Sequence, residues 1–164
     1  MGFPALQIDL LAAGNEHILA AAGLLYTSCI SWTVLYDMIY AHMDIRDDVK
    51  AGIKSIARAH EHNTKSVLTG LAVTQISLLA AAGAAVGAGP VFFVGSCGSA
   101  ALALGLMIRR VRLKSVKDCW WWFVNGAWLV GGGISAGLLG EYLARYYGLY
   151  DRSKEGKTTV AALS

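Results

Sequence analysis

The sequence predicts an all-α, polytopic transmembrane bundle, and three observations carry the prediction. The chain is 55% hydrophobic and only 15% charged, whereas a soluble domain carries about 25% charged residues. With a mean hydropathy of +0.49, there is too little charge to coat a water-soluble surface. The apolar residues gather into four stretches, each near the roughly 20 residues that a helix needs to cross a bilayer. Lys and Arg fall almost wholly between those stretches. The 19 glycines show no collagen-like period and suit close helix packing in lipid.

The spans are expected at about 18–40, 67–86, 91–108 and 120–142. The second ends at Gly87-Ala88-Gly89-Pro90, a run of turn residues. Residues 1–11 are apolar but short and could be the tail of another span; Asp9 and the lack of a basic start argue against a cleavable signal peptide, and nothing there resembles an Arg-rich transit peptide. Residues 1–150 are therefore read as one membrane domain, and 151–164 as a polar tail.

Four spans place the first and third loops on one side. Those loops hold Arg46, Lys50, Lys54, Arg58, Lys65, Arg109, Arg110, Arg112, Lys114 and Lys117, ten of the 14 basic residues. The positive-inside rule puts that side in the cytoplasm or in an organelle's matrix. These are short loops and not one continuous basic face, so no nucleic-acid partner is expected. Trp120, Trp121 and Trp122 open the fourth span, and Tyr142, Tyr146 and Tyr147 close it, as an interfacial aromatic belt does. Cys29, Cys97 and Cys119 have no metal-ligand spacing and read as small apolar fillers. His60-Glu61-His62 reads as plain loop, because i and i+2 diverge on a helix. Gly131-Gly132-Gly133 reads as a close helix contact or a kink.

The chemistry concentrates where the first span runs into Asp37, Asp44, Asp47 and Asp48. An acid at membrane depth is costly and marks Asp37 as a functional candidate. Asp44 and Asp48 lie one helical turn apart, Asp37 lies two turns before Asp44, and Tyr40 sits between them on the same stripe. Stacked carboxylates repel, and a divalent cation removes that repulsion; Mg²⁺ binds through one or two carboxylates plus phosphate oxygens. Lys50, Lys54 and Arg58 follow at intervals of four, a positive stripe suited to phosphate. The same spacing also describes a solvated membrane-proximal segment that alternates acid and base. His42, beside this stripe, reads as interfacial, with a supporting role behind the site as the alternative.

Residues 36–55 read YDMIYAHMDIRDDVKAGIKS. This stretch resembles the second aspartate-rich motif of the UbiA superfamily, YDxxYAxxDxxxDxxxGxKS, at every fixed position. Its Tyr-Asp…Tyr-Ala element is similar to the hydroxybenzoate-type branch of aromatic prenyltransferases. Cys119-Trp120, Phe123, Asn125 and Gly137-Leu138 are similar to the last helix of eukaryotic, notably fungal, members. The resemblance covers about 2–147 and implies half of a nine-helix membrane fold around a central cavity. It implies Mg²⁺-dependent prenyl transfer from an allylic diphosphate to an aromatic acceptor, such as 4-hydroxybenzoate or a meroterpenoid phenol. Asp44 and Asp48 would be the metal carboxylates, Lys54 and Arg58 would meet diphosphate, and Asp37 with Tyr40 would line the cavity near acceptor or cation. A mitochondrial inner membrane or an endomembrane is the implied location.

The family's first motif, NDxxDxxxD, occurs nowhere in the sequence. The expectation is accordingly a C-terminal half, with catalysis by this chain alone in question because one cluster cannot clamp diphosphate from both sides. The competing expectations are a non-catalytic scaffold or regulator of a full-length relative, and a small transporter using Asp37.

Overall fold

The computed structural model describes residues 14–52 and 62–150, with the side chains of all but 46–49 and 51. Four helices long and apolar enough to cross a membrane account for nearly all of them. They are α1 (Glu16–Ala51), α2 (Thr64–Ala85), α3 (Pro90–Arg110) and α4 (Val116–Tyr146). No strand occurs among the described residues. The expected bundle is therefore what forms, as an integral membrane architecture. The expected remnant of a further span and the polar tail lie outside the described residues.

The helices follow one another around a ring: α1 packs along α2, α2 on α3, α3 on α4, and α4 back on α1. Each helix is longer than its apolar stretch. The N-cap Gly89 and Pro90 at the first turn start α3, because proline's missing N–H falls where no helical partner exists. Gly87, with φ of +63°, makes the turn before it. α1 does not stop at the membrane edge but continues through the aspartates to Ala51.

The main core lies at the end where α1 finishes and α2 begins. Leu35, Met38 and Ile39 of α1 meet Leu68 and Ala72 of α2, Leu104 and Met107 of α3, and Trp122 and Val130 of α4. At most 39% of a span's hydrophobic window is buried, so most of each helix faces outward. Polar groups in these apolar surroundings satisfy themselves locally. Thr27, Ser31 and Thr33 donate to the carbonyls of Gly23, Thr27 and Cys29 one turn back, as hydroxyls in lipid must. Ser28 donates across to the Gln75 carbonyl at 2.9 Å and joins α1 to α2.

α3 and α4 cross most closely at glycine. A Cβ built on Gly95 would stand 2.9 Å from the Gly137 Cα. Ser96, fully buried, donates to the Ile134 carbonyl at 2.9 Å beside that crossing. The crossing coincides with a π-helical stretch, Phe93–Cys97. In the Gly131–Gly133 run, the expected close contact belongs to Gly133, which abuts Ser99, while Gly131 and Gly132 face open space.

At the end away from the main core, a buried carboxylate ties the bundle together. Glu141 accepts hydrogen bonds from the Gly89 N–H (2.7 Å), the Phe92 N–H (3.2 Å), Arg145 Nε (2.7 Å) and the Tyr150 hydroxyl (2.6 Å). It caps the N-terminus of α3 from a neighbouring helix, satisfying backbone donors that a helix start leaves free. Arg145 also donates to the Gly87 carbonyl.

Three side chains depart from sequence expectation. Cys29 is exposed, while Cys97 and Cys119 are buried as expected. Trp120 and Trp121 are about half exposed, but Trp122 turns into the core, because α4's inward stripe passes through Cys119, Trp122 and Gly126. His42 is buried, with 6% exposure, and not interfacial.

Candidate active site on the first helix

The burial pattern of α1 sets the site. Leu35, Met38, Ile39 and His42 are buried, a spacing of three and four that defines one helical stripe. Asp37, Tyr40 and Asp44 stand on the other side, all exposed. The structure thus brings these three predicted residues onto one open face. Asp48 lies one turn beyond Asp44 in the same helix, though its side chain is not described. Lys54 and Arg58, and the His60-Glu61 pair, lie outside the described residues; His62 is exposed.

Among the described residues, no ion pair or hydrogen bond engages the carboxylate of Asp37 or Asp44. No group of three or more His, Cys, Asp or Glu side chains gathers among them either. The described part of the motif thus offers an open carboxylate, Asp44, at the end of a rigid helix. A lone carboxylate of this kind is the sort of ligand that a hard cation takes together with phosphate oxygens.

Asp37 borders two clefts. One, of about 370 Å³, runs between α1 and α4 and is lined by Trp32, Tyr36, Asp37, Phe123, Ala127 and Trp128 among others. The other, of about 180 Å³, is lined by Val34, Asp37, Met38 and Ala41. The larger is walled by linked aromatic rings. Phe123 lies 5.3 Å from Tyr40, 6.2 Å from Tyr36 and 6.2 Å from Trp120, and Trp32 meets Tyr36 edge-on at 5.4 Å. Trp32 Nε1 and Tyr36 Oη are both buried. Gly126 opens the space that the Tyr36 hydroxyl occupies, which a Cβ there would approach to 3.1 Å. A cleft with π faces and one carboxylate can take a flat or cationic apolar group.

The ring wall is the part that sequence reasoning missed. Trp32 and Tyr36 fell inside an apolar span, and nothing in their spacing alone pairs them with Phe123, which is 87 positions beyond Tyr36. The two basic loops do share one end of the bundle, where Lys65 Nζ donates to the Arg109 carbonyl at 3.3 Å. Beyond them, Asp118 caps the approach to α4 by accepting from the Arg112 N–H at 2.7 Å.

A largely apolar cavity of about 470 Å³ lies toward the other end, between Leu25, Leu79, Phe92, Ile134 and Leu138. It shares no lining residue with the Asp37 clefts.

A family model described as "UbiA prenyltransferase family" matches residues 1–157. Among curated proteins, the mitochondrial 4-hydroxybenzoate polyprenyltransferase of Schizosaccharomyces pombe is 46% identical over 154 residues, which are 92% of this chain and 40% of that protein. The Saccharomyces cerevisiae protein of the same name is 41% identical over 126 residues, 76% of this chain and 33% of the relative. A 4-hydroxybenzoate octaprenyltransferase of Methylococcus capsulatus is 31% identical over 132 residues, 80% and 44% respectively. The chain thus spans between 33% and 44% of the length of these relatives. No solved structure matches. With a family match over nearly its whole length, the chain belongs to the UbiA prenyltransferase family.

Proposed function

We propose that this chain forms the diphosphate-binding wall of a membrane prenyltransferase that moves a polyprenyl group from its allylic diphosphate to 4-hydroxybenzoate, in the mitochondrial inner membrane. The observation that carries the reading is the open stripe of Asp37, Tyr40 and Asp44 on α1 beside the Phe123 ring wall. The acceptor and the compartment rest on the names of the relatives; a meroterpenoid phenol is the other acceptor compatible with the same site. The Asp-rich end then faces the matrix, as the basic loops favour.

Asp44 and Asp48 would hold Mg²⁺, and Lys54 and Arg58 would contact the diphosphate. The metal supplies neutralisation of the leaving diphosphate's charge when bound. The chain's own residues contribute alongside it. The allylic C–O bond ionises with its electron pair leaving on diphosphate, and the π faces of Tyr40 and Phe123 stabilise the positive carbon left behind. The aromatic cleft excludes water that would otherwise quench it. The acceptor's ring carbon attacks, and the proton it then loses goes to the Asp37 carboxylate, the one acid among the described residues of the cleft wall.

A chimera tests this, with the present chain replacing the matching 40% of the S. pombe relative. Membranes bearing it are expected to prenylate 4-hydroxybenzoate in a Mg²⁺-dependent way, with Asp44→Ala plus Asp48→Ala abolishing turnover. A well-inserted chimera without activity sinks the reading. Unchanged turnover in the double variant removes those carboxylates from the metal site.

A further inference from the structure

Tyr36 of α1 reaches across to α4, and the two parts of its side chain meet different surroundings. Its ring lines the cleft between α1 and α4, together with Phe123, Ala127 and Trp128. Its hydroxyl is buried and lies against Gly126 of α4, where Met107 of α3 also comes near. Gly126 is itself buried, on the inward stripe of α4. A Cβ built there stands 3.1 Å from Tyr36 Oη and 2.9 Å from Met107 Sδ. Both distances fall inside the roughly 3.5–4.0 Å at which non-bonded atoms pack best. The absent methyl group is therefore what lets the hydroxyl recede toward α4.

The two sides of the Tyr36 ring differ in what they allow. On one side is the main core, to which Tyr36 and the fully buried Met107 both belong, and a packed core resists added volume. On the other is the cleft of about 370 Å³. A ring pushed off Gly126 has that open space to enter, and it cannot turn the opposite way without displacing the core. Phe123 stands 6.2 Å from Tyr36 and 5.3 Å from Tyr40, so a displaced ring narrows the gap that the aromatic wall encloses. Asp37 borders the same gap.

We propose that Gly126 is a positioning residue that determines specificity: by carrying no side chain it keeps the Tyr36 ring back, and so sets the width that the α1–α4 cleft offers to a planar aromatic acceptor. The proposal rests on the prenyl-transfer reading for its consequence in turnover, and on packing alone for the seat of Tyr36. Gly126 touches no substrate in this role; it acts through Tyr36. A misplacement of about 1 Å away from the chemistry can cost about 100-fold in rate, and a ring that yields by part of that distance costs about tenfold. The loss falls on the acceptor and spares the diphosphate, which is held beyond the cleft at the aspartate end.

Two measurements test it. In the chimera with the S. pombe relative, Gly126→Ala is expected to lower kcat/KM for 4-hydroxybenzoate about tenfold, with KM for the prenyl diphosphate staying within about twofold. Tyr36→Phe removes the oxygen that meets the new Cβ and leaves Cε1, at 3.7 Å, as the ring's nearest atom. In that background the glycine change should cost about twofold or less. Met107→Val removes Sδ and should give no such relief; relief by Met107→Val and none by Tyr36→Phe overturns the proposal. Ala127→Leu fills the cleft from its own wall, so it should lower acceptor kcat/KM even where Gly126→Ala inserts poorly. An unchanged value there overturns the cleft as the acceptor's place. A merely structural role predicts less inserted protein with kcat/KM per folded enzyme unchanged, and that result also overturns the proposal. Binding supplies a readout independent of turnover. With prenyl diphosphate left out, saturation-transfer NMR of 4-hydroxybenzoate on the chimera in nanodiscs should give ring signals that Gly126→Ala weakens and added Tyr36→Phe restores. Equal signals in variant and wild type overturn the proposal even if the enzyme reading stands. If the wild-type chimera is inactive but binding follows this pattern, the proposal stands and the enzyme reading falls.

Discussion

Replacing Glu141 with alanine should be the most damaging single change at the end of the bundle away from the aspartates. The carboxylate receives four hydrogen bonds, two from backbone N–H groups, one from Arg145 and one from Tyr150. Bonds to a charged acceptor contribute about 1.5–3 kcal/mol each, though not additively. Removing one partner of a buried ion pair costs about 3–5 kcal/mol. Arg145 is 51% exposed, so water recovers part of that cost, and about 3 kcal/mol is the working figure. For a chain of this size each kcal/mol lowers the melting temperature by roughly 2–4 °C, which gives a fall of about 6–12 °C. The chain carries its own reporter: Cys97 and Cys119 are buried, whereas Cys29 is exposed. In a Cys29→Ser background, a thiol-reactive dye should therefore light up only on unfolding. Glu141→Gln, whose amide keeps one acceptor oxygen, should lose about half as much. A melting temperature for Glu141→Ala within about 2 °C of wild type would refute the reasoning, because it would mean that the four bonds are replaced at no cost.

Gly137→Leu should separate α3 from α4 at their closest crossing and cost about 1–3 kcal/mol by overpacking, read as a lower melting temperature. The Glu141 carboxylate accepts the Tyr150 hydroxyl's hydrogen bond and, with a smaller effect of burial, raises that phenol's pKa above its ordinary 10.0. The neutral donor is thus favoured in the folded state, so its contribution is present below pH 10.0 and lost as pH climbs through the raised value. Melting curves between pH 9 and 11.5 should show this extra decline in wild type and not in Tyr150→Phe. In the active chimera, Phe123→Leu should remove the π face beside Tyr40 and lower kcat about tenfold or more at unchanged Mg²⁺ dependence.

The four spans were legible because lipid demands long apolar runs, and nothing else in the chain is long enough to be confused with one. The stripe of Asp37, Tyr40 and Asp44 was legible because helical spacing alone places those residues on one face. What the sequence hid depends on distant partners. His42 is polar and adjacent to the motif, so exposure was the natural expectation. Its burial comes with a hydrogen bond between Nε2 and the Thr64 hydroxyl across the interface, 22 positions away. Glu141 stood apart in the sequence and gains its role from Gly89 and Phe92 on another helix. Trp122 left the expected belt because the inward stripe of α4 runs through it. Local periodicity gives which face a residue occupies, but not which helix comes to cover that face.

The continuity of α1 ties the site to bilayer thickness. Its 36 residues make a rod of about 54 Å, against an apolar membrane core of about 30 Å. A helix too long for its bilayer leans over, and it leans further as the membrane thins. Asp37, Tyr40, Asp44 and the backbone of Asp48 ride on one unbroken rod, so such a lean carries them together and changes their depth without altering their mutual spacing. Acyl-chain length is therefore a control on how far the carboxylates stand above the hydrocarbon boundary.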